Sequence, residues 1–318
     1  EWDTVIITGH KYSDMDSLGA SVGMARIAQY FRKDVYIVID EKTTMATPLF
    51  EKLKKSGFFS DIFISPDDID VKITNNTAAV ICDTHRPEVA EGYDSLRLAR
   101  DIVVVDHHRK SSDYIDSASI MFHDPSASSA SEMATELVQY ICDDELLACE
   151  AEALLAGIIL DTKSFTLKTS SATFDTSSYL KKMGANPVSV KLLFQTDKET
   201  YKHKISLMQK AAIYRDVTAI AVWTDPIPEN IKLITAQAAD DLLNVEKVQA
   251  AFTLFEDKAG INISARSLGS VNVQVIMEYL GGGGHQTMAG TLIKDMSLGK
   301  AVDELKKAID KYIKDMKI

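Results

Sequence analysis

Short, almost purely apolar runs recur along the first half of the chain, each followed by a stretch whose apolar positions have helical spacing. The runs cover residues 4–8, 35–39, 62–65, 79–82 and 102–105, and the helical stretches cover 18–31, 48–55 and 94–100. Runs that are apolar at every position and alternate with helices predict a doubly wound, mostly parallel α/β sheet. Two more helices are predicted over 131–142 and 145–160, the first opened by Ser129 and Glu132 in capping-box spacing. From 173 to 210 the pattern is helical and polar, interrupted at Gly184 and Pro187. The last third changes texture. Runs at 217–223, 252–255 and 261–266 read as antiparallel strands, the last two joined by a tight turn at 256–260. A short helix over 273–280 runs into four glycines, and a strand follows over 290–293. The final helix gathers Val302, Leu305, Ile309, Tyr312, Ile313 and Met316 on one face. The predicted organisation is a first domain over 1–195, a helical linker over 196–214 and a smaller α+β domain over 215–318. The active site is expected in the cleft between the two domains.

Composition narrows the partners. With 46% hydrophobic and 25% charged residues in 318, the chain is globular. Its net charge of -11 argues against a grip on long nucleic acid, which needs a basic face to displace counterions. A small anion handled through bound metal fits better, because the metal brings the positive charge locally. Cys82, Cys142 and Cys149 have no CxxC spacing and read as reduced, mostly buried thiols of a cytosolic protein. No apolar run approaches the ~20 residues of a membrane span, so no membrane contact by this segment is expected.

Chemistry concentrates where predicted strands end. His10, Asp14 and Asp16 stand within seven residues between a strand and a helix. Capping explains Asp16 or Ser17 but leaves His10 and Asp14 unexplained, and an oxygen and nitrogen donor set suits a hard divalent ion. Asp83 ends the fourth run and, alone, reads more readily as a loop capper than as a ligand. Asp106, His107, His108 and Arg109 follow the fifth, a density of titratable groups unusual for a plain surface. Asp161 ends a long apolar helix, where a carboxylate opposes the helix dipole and a cation would offset it.

Taken in order, His10-x-x-x-Asp14-x-Asp16, Asp83, Asp106-His107-His108 and Asp161 resemble the four motifs of the DHH phosphoesterase superfamily. Gly281 to Gly284 followed by His285 resembles the signature of the DHH-associated domain of its RecJ-like branch. Met15 and the run Ser264-Ala265-Arg266-Ser267 with Asn272-Val273-Gln274 are most similar to GdpP-type cyclic-di-AMP phosphodiesterases. The resemblance implies two manganese ions, with magnesium, cobalt or iron as alternatives. His10, Asp14 and Asp83 would hold one; Asp16, Asp83, His107 and Asp161 would hold the other. Asp106 would orient, while His108 and Arg109 face the substrate phosphates. Arg266, Ser267, Asn272, Gly282, Gly283, Gly284 and His285 would grip a small cyclic or linear dinucleotide. In that family the catalytic part follows membrane helices, a PAS domain and a degenerate GGDEF domain. The resemblance therefore implies a cytoplasmic catalytic fragment of a membrane-anchored parent. A homodimer is left open. The rival readings are an oligoribonuclease or phosphoadenosine phosphatase of the same superfamily, and a nucleotide sensor without turnover.

Overall fold

The computed structural model describes residues 2–316, which fall into two compact units, Glu1–Gln195 and Thr196–Ile318. The first contains β1 (Thr4–Thr8), α1 (Met15–Tyr30), β2 (Asp34–Val38), α2 (Thr47–Lys55), β3 (Phe63–Ile64), α3 (Ile69–Lys72) and β4 (Thr77–Cys82). It continues with α4 (Tyr93–Leu96), β5 (Asp101–Asp106), β6 (Ile120–His123), α5 (Ala130–Ile141), α6 (Ala148–Asp161), α7 (Ser171–Lys182) and α8 (Pro187–Leu193).

Its six strands run in the order β3-β2-β1-β4-β5-β6, and every pairing is parallel. Both faces of this sheet are covered. Val5, Ile7, Val80, Val103 and Val105 pack with the larger helices, whereas Ile6, Ala79, Ile81, Ile102 and Val104 pack with Ile69 of α3 and Leu96 of α4. Burial on both sides is why these strands are apolar at every position. Strand β6 escaped the sequence pattern because it is a half-exposed edge strand, with Ile120 52% exposed. The strand order reverses at β1, which lies between β2 and β4. The carboxyl ends of β1, β4 and β5 therefore border the crevice where open α/β sheets bind ligands. Among the described residues no helix is long and apolar enough to cross a membrane.

The second unit contains α9 (Lys198–Gln209), β7 (Ala212–Tyr214), β8 (Thr218–Val222), α10 (Ile231–Leu242) and β9 (Ala250–Asp257). After these come β10 (Gly260–Ser267), α11 (Val273–Glu278), β11 (Gly283–Gly284), β12 (Met288–Ile293) and α12 (Leu298–Met316). Its sheet has the order β11-β12-β10-β9-β8-β7 and is antiparallel except between β8 and β9. Ile261, Ile263 and Ala265 pack with α11 and α12, and Ala219, Ala221, Ala251 and Phe255 with α10. The stretch 196–214, expected as a linker, folds into this unit: Leu207 of α9 is fully buried in the α10 core. Its polar sequence reflects a helix with one narrow apolar contact. Leu305, Ile309 and Tyr312 of α12 are buried, but Met316 is 56% exposed at the helix end.

Candidate metal centre

The turn after β1 closes with the Ser13 N–H donating to the His10 carbonyl at 2.8 Å. Asp14, rather than Asp16 or Ser17 as the sequence suggested, caps α1, its Oδ1 accepting the N–H groups of Asp16 and Ser17. Asp16 is fully buried, and its two oxygens accept the N–H groups of Ala130 and Ser131 at 2.8 Å each. It thus sits against the first turn of α5, where free N–H groups and the helix dipole favour an anion. Helix α6 packs onto the same carboxylate. A Cβ on Gly157 would lie 2.7 Å from Asp16 Oδ1 and closer still to Ser131 Oγ, so only glycine fits.

Asp83 follows β4 with φ +59°, a left-handed conformation that Asp tolerates better than most residues. Its N–H donates to the Val105 carbonyl at 2.9 Å, which ties the turn to β5. Strain of this kind, held by its surroundings, is a feature of ligand sites. Asp106 closes β5, the two imidazoles come next, and Asp161 is the last residue of α6.

These four segments converge. His10 Nε2 lies 3.8 Å from Asp14 Oδ1 and 3.5 Å from Asp83 Oδ2. His107 Nε2 lies 3.2 Å from Asp161 Oδ2, 3.5 Å from Asp83 Oδ1 and 3.8 Å from Asp16 Oδ2. Asp83 thus turns one oxygen to each group. The donor atoms of His10, Asp14 and Asp83, and separately of Asp16, His107 and Asp161, are close enough to share an ion, as are those of Asp83, His107 and His108.

The electrostatics show how much charge is packed here. Burial disfavours protonation of His10, yet Asp14 and Asp83 outweigh it and hold the imidazole up at about 10. His107 is likewise opposed by burial but pulled up to about 11 by Asp161, Asp83 and Asp16. Burial pushes Asp16 well above the usual carboxylate range, and the charges of Asp83 and Asp161 push it further. Burial also raises Asp161, against the pull of His107. Asp83 is held low despite its burial by His10, His107 and His108. Asp83 Oδ1 and both ring nitrogens of His107 are buried without a well-directed hydrogen bond. Buried polar atoms are normally satisfied, so orphaned oxygen and nitrogen donors beside mutually repelling carboxylates fit divalent cations.

Asp106 turns away from these clusters. Its Oδ1 accepts from His108 N–H at 3.1 Å and Nδ1 at 2.8 Å, and its Oδ2 bonds His85 Nδ1. His85 and His123 belong to this neighbourhood, although the sequence pattern gave neither a role; the imidazole two residues after Asp83 was the available signal. Arg109 is exposed beside His108.

In the second unit the candidate residues carry anchoring contacts. Arg266 Nε lies 3.3 Å from Asp240 Oδ1 on α10. Ser267 Oγ donates to the Gln286 carbonyl, and Asn272 caps α11 through Oδ1. Gly281 has φ +76° and Gly284 φ +144°, and a Cβ on Gly282 or Gly284 would strike the backbone of β12 within 2.6 Å. Close strand packing therefore accounts for part of the glycine run. Gly283 meets nothing within 4 Å, and His285 is exposed beside it.

Comparison with known proteins places the chain among characterised relatives. The N-terminal domain of the DHH family matches residues 4–158, and the DHHA1 domain matches residues 227–315. The cyclic-di-AMP phosphodiesterase GdpP of Geobacillus thermodenitrificans is 42% identical over 98% of this chain and 48% of its own length. The cyclic-di-AMP phosphodiesterase PdeA of Listeria monocytogenes is 41% identical with the same coverage. The chain thus spans about half the length of these curated relatives. The crystal structure of an exopolyphosphatase-related protein from Bacteroides fragilis superposes with a TM-score of 0.83 at 20% identity, covering 100% of this chain and 95% of that one. That likeness establishes the fold.

Proposed function

The chain belongs to the DHH family and carries a DHHA1 domain, and from that premise we propose that it is a metal-dependent phosphodiesterase acting on cyclic-di-AMP. The observation that carries this reading is the convergence of four segments on Asp83, which faces a His10–Asp14 group on one side and an Asp16–His107–Asp161 group on the other. The 41–42% identity to two cyclic-di-AMP phosphodiesterases supports the substrate.

Divalent ions, manganese by preference, would be held by His10, Asp14 and Asp83 and by Asp16, Asp83, His107 and Asp161. Bound there, they supply a hydroxide at neutral pH and offset phosphate charge. The residues of the chain do the rest. The first turn of α5 fixes Asp16. Asp106 holds His108 through Nδ1, leaving Nε2 for a phosphate oxygen. Burial works against a charged His108, but Asp106 and Asp83 raise its pKa, which favours the protonated ring that donates through Nε2–H. Arg109 adds a second cation at the exposed rim, and Arg266, Gly282 to Gly284 and His285 grip the nucleotide, with Ser267 and Asn272 shaping their loops. Water adds to phosphorus, the ribose 3′ oxygen leaves, and the ring opens to linear 5′-pApA.

The test is product analysis with manganese on cyclic-di-AMP, cyclic-di-GMP, pApA and pyrophosphate. Preferred conversion of cyclic-di-AMP to pApA is expected. Faster cleavage of pApA or pyrophosphate would overturn the substrate assignment, and no turnover of any of the four would make the chain a binder.

A further inference from the structure

The segment after β4 contains an imidazole that neither metal group uses. His85 is 2% exposed and bonds to Asp106 through Nδ1. Its Nε2 accepts the Ser111 N–H at 2.9 Å. A backbone N–H can only donate, so Nε2 is bare and the ring proton sits on Nδ1, directed at the carboxylate. Both nitrogens are thereby engaged. The grouping of His85, Asp106 and His123, close enough in space to suggest a third ion, is therefore a hydrogen-bonded cluster instead.

The contacts continue on both sides. Asp106 gives its other oxygen to His108, whose side chain is 43% exposed. His123 Nε2–H donates to the His108 carbonyl at 2.5 Å, and the Ile115 N–H donates to the His85 carbonyl at 2.8 Å. His85 thus holds the carboxylate and the far side of the loop that carries His108. A carboxylate with one oxygen free would rotate about its terminal torsion, which is broad, and carry His108 with it.

We propose that His85 is a positioning residue that acts through Asp106 to orient His108 toward the scissile phosphate. The proposal rests on the phosphodiesterase reading given above. It follows the general behaviour of groups behind a metal site, where the partner of a functional side chain fixes tautomer and direction.

The test is a double-mutant cycle in the full chain with manganese, using His85→Leu, His108→Ala and the pair. His85→Leu is expected to lower kcat by ~10–100-fold, with KM and bound metal near wild type. The pair should be no slower than His108→Ala, because the two residues act in one chain. His85→Asn, whose amide nitrogen replaces Nδ1, should recover most of the rate; His85→Gln, which keeps only the far nitrogen, should not. Multiplicative losses in the cycle, or equal rates for Asn and Gln, would overturn the proposal. The Asn and Gln pair decides the matter alone if His85→Leu does not fold. Nitrogen-15 NMR of the metal-free chain should find His85 protonated on Nδ1, and a bare Nδ1 would also overturn it. A wild-type chain that cleaves bis(p-nitrophenyl) phosphate but not cyclic-di-AMP would sink only the substrate assignment, and the cycle would then be run on that diester. Inertness toward both would sink both.

Discussion

The candidate groups of the two units arrange charge differently. In the first, Asp16, Asp83 and Asp161 crowd around His107, and orphaned donor atoms remain buried. In the second, Ser267 and Asn272 are tied to backbone, and the glycine loop is uncharged. The first group crowds carboxylates that a bound cation would offset; the second pairs its one guanidinium, Arg266, with Asp240. Charge crowding thus marks the first group, and close backbone packing beside a single ion pair marks the second.

The largest effect that could break this contrast is at Asp83. Asp83→Asn keeps the shape and removes the charge facing both groups. Hydrolysis should fall about a thousandfold, roughly 4 kcal/mol of barrier, and bound manganese should drop when measured by atomic absorption. Full metal content with normal turnover would sink the shared-carboxylate scheme.

Next comes pH. His10 and His107 have raised pKa values, about 10 and about 11, and Asp16 and Asp161 are raised too. A group raised in the folded state stabilises fully below its unfolded pKa, and that stability is lost as pH rises through the folded value. All four act in one direction. The metal-free protein should therefore melt at lower temperature at pH 9 than at pH 6, and saturating manganese should remove most of the difference. A metal-free melting temperature that rises over this range would show that the crowding is misread.

Packing around the site gives a smaller effect. Gly157→Ala drives a methyl against Asp16 and Ser131 and should destabilise by ~1–3 kcal/mol, with weaker metal binding. Gly299→Ala in α12, where a Cβ meets nothing within 4 Å, should instead stabilise by roughly 0.5–1 kcal/mol. Thermal melts of both variants check the pair. Least of all, His285→Ala should weaken dinucleotide affinity by about tenfold, the worth of one hydrogen bond to a charged group, with metal content unchanged. Unaltered affinity in calorimetry would leave the loop a purely structural element.

The segments that converge on Asp83 were legible because each sits at the end of an apolar strand or helix, where polar residues break a strong pattern. His85 was not, since its role depends on Asp106, 21 residues away, and no local spacing encodes that pairing. Residues 196–214 read as a linker because only one side of α9 is apolar. The glycine run read as a phosphate cradle, whereas Gly282 and Gly284 also answer to β12 packing. Periodicity reports one helix face or strand at a time; contacts between distant segments lie outside it.

The seating of Asp16 on α5 has one more consequence. Two hydrogen bonds join that carboxylate to the first turn of a helix of 12 residues, about 18 Å long at ~1.5 Å per residue. The helix is packed into the core along its length through Met133, Ala134 and Val138. It thus links the carboxylate rigidly to the surface, where Tyr140 stands 91% exposed. A fluorophore or spin label at that position would test whether an ion arriving at the centre is felt there, without entering it.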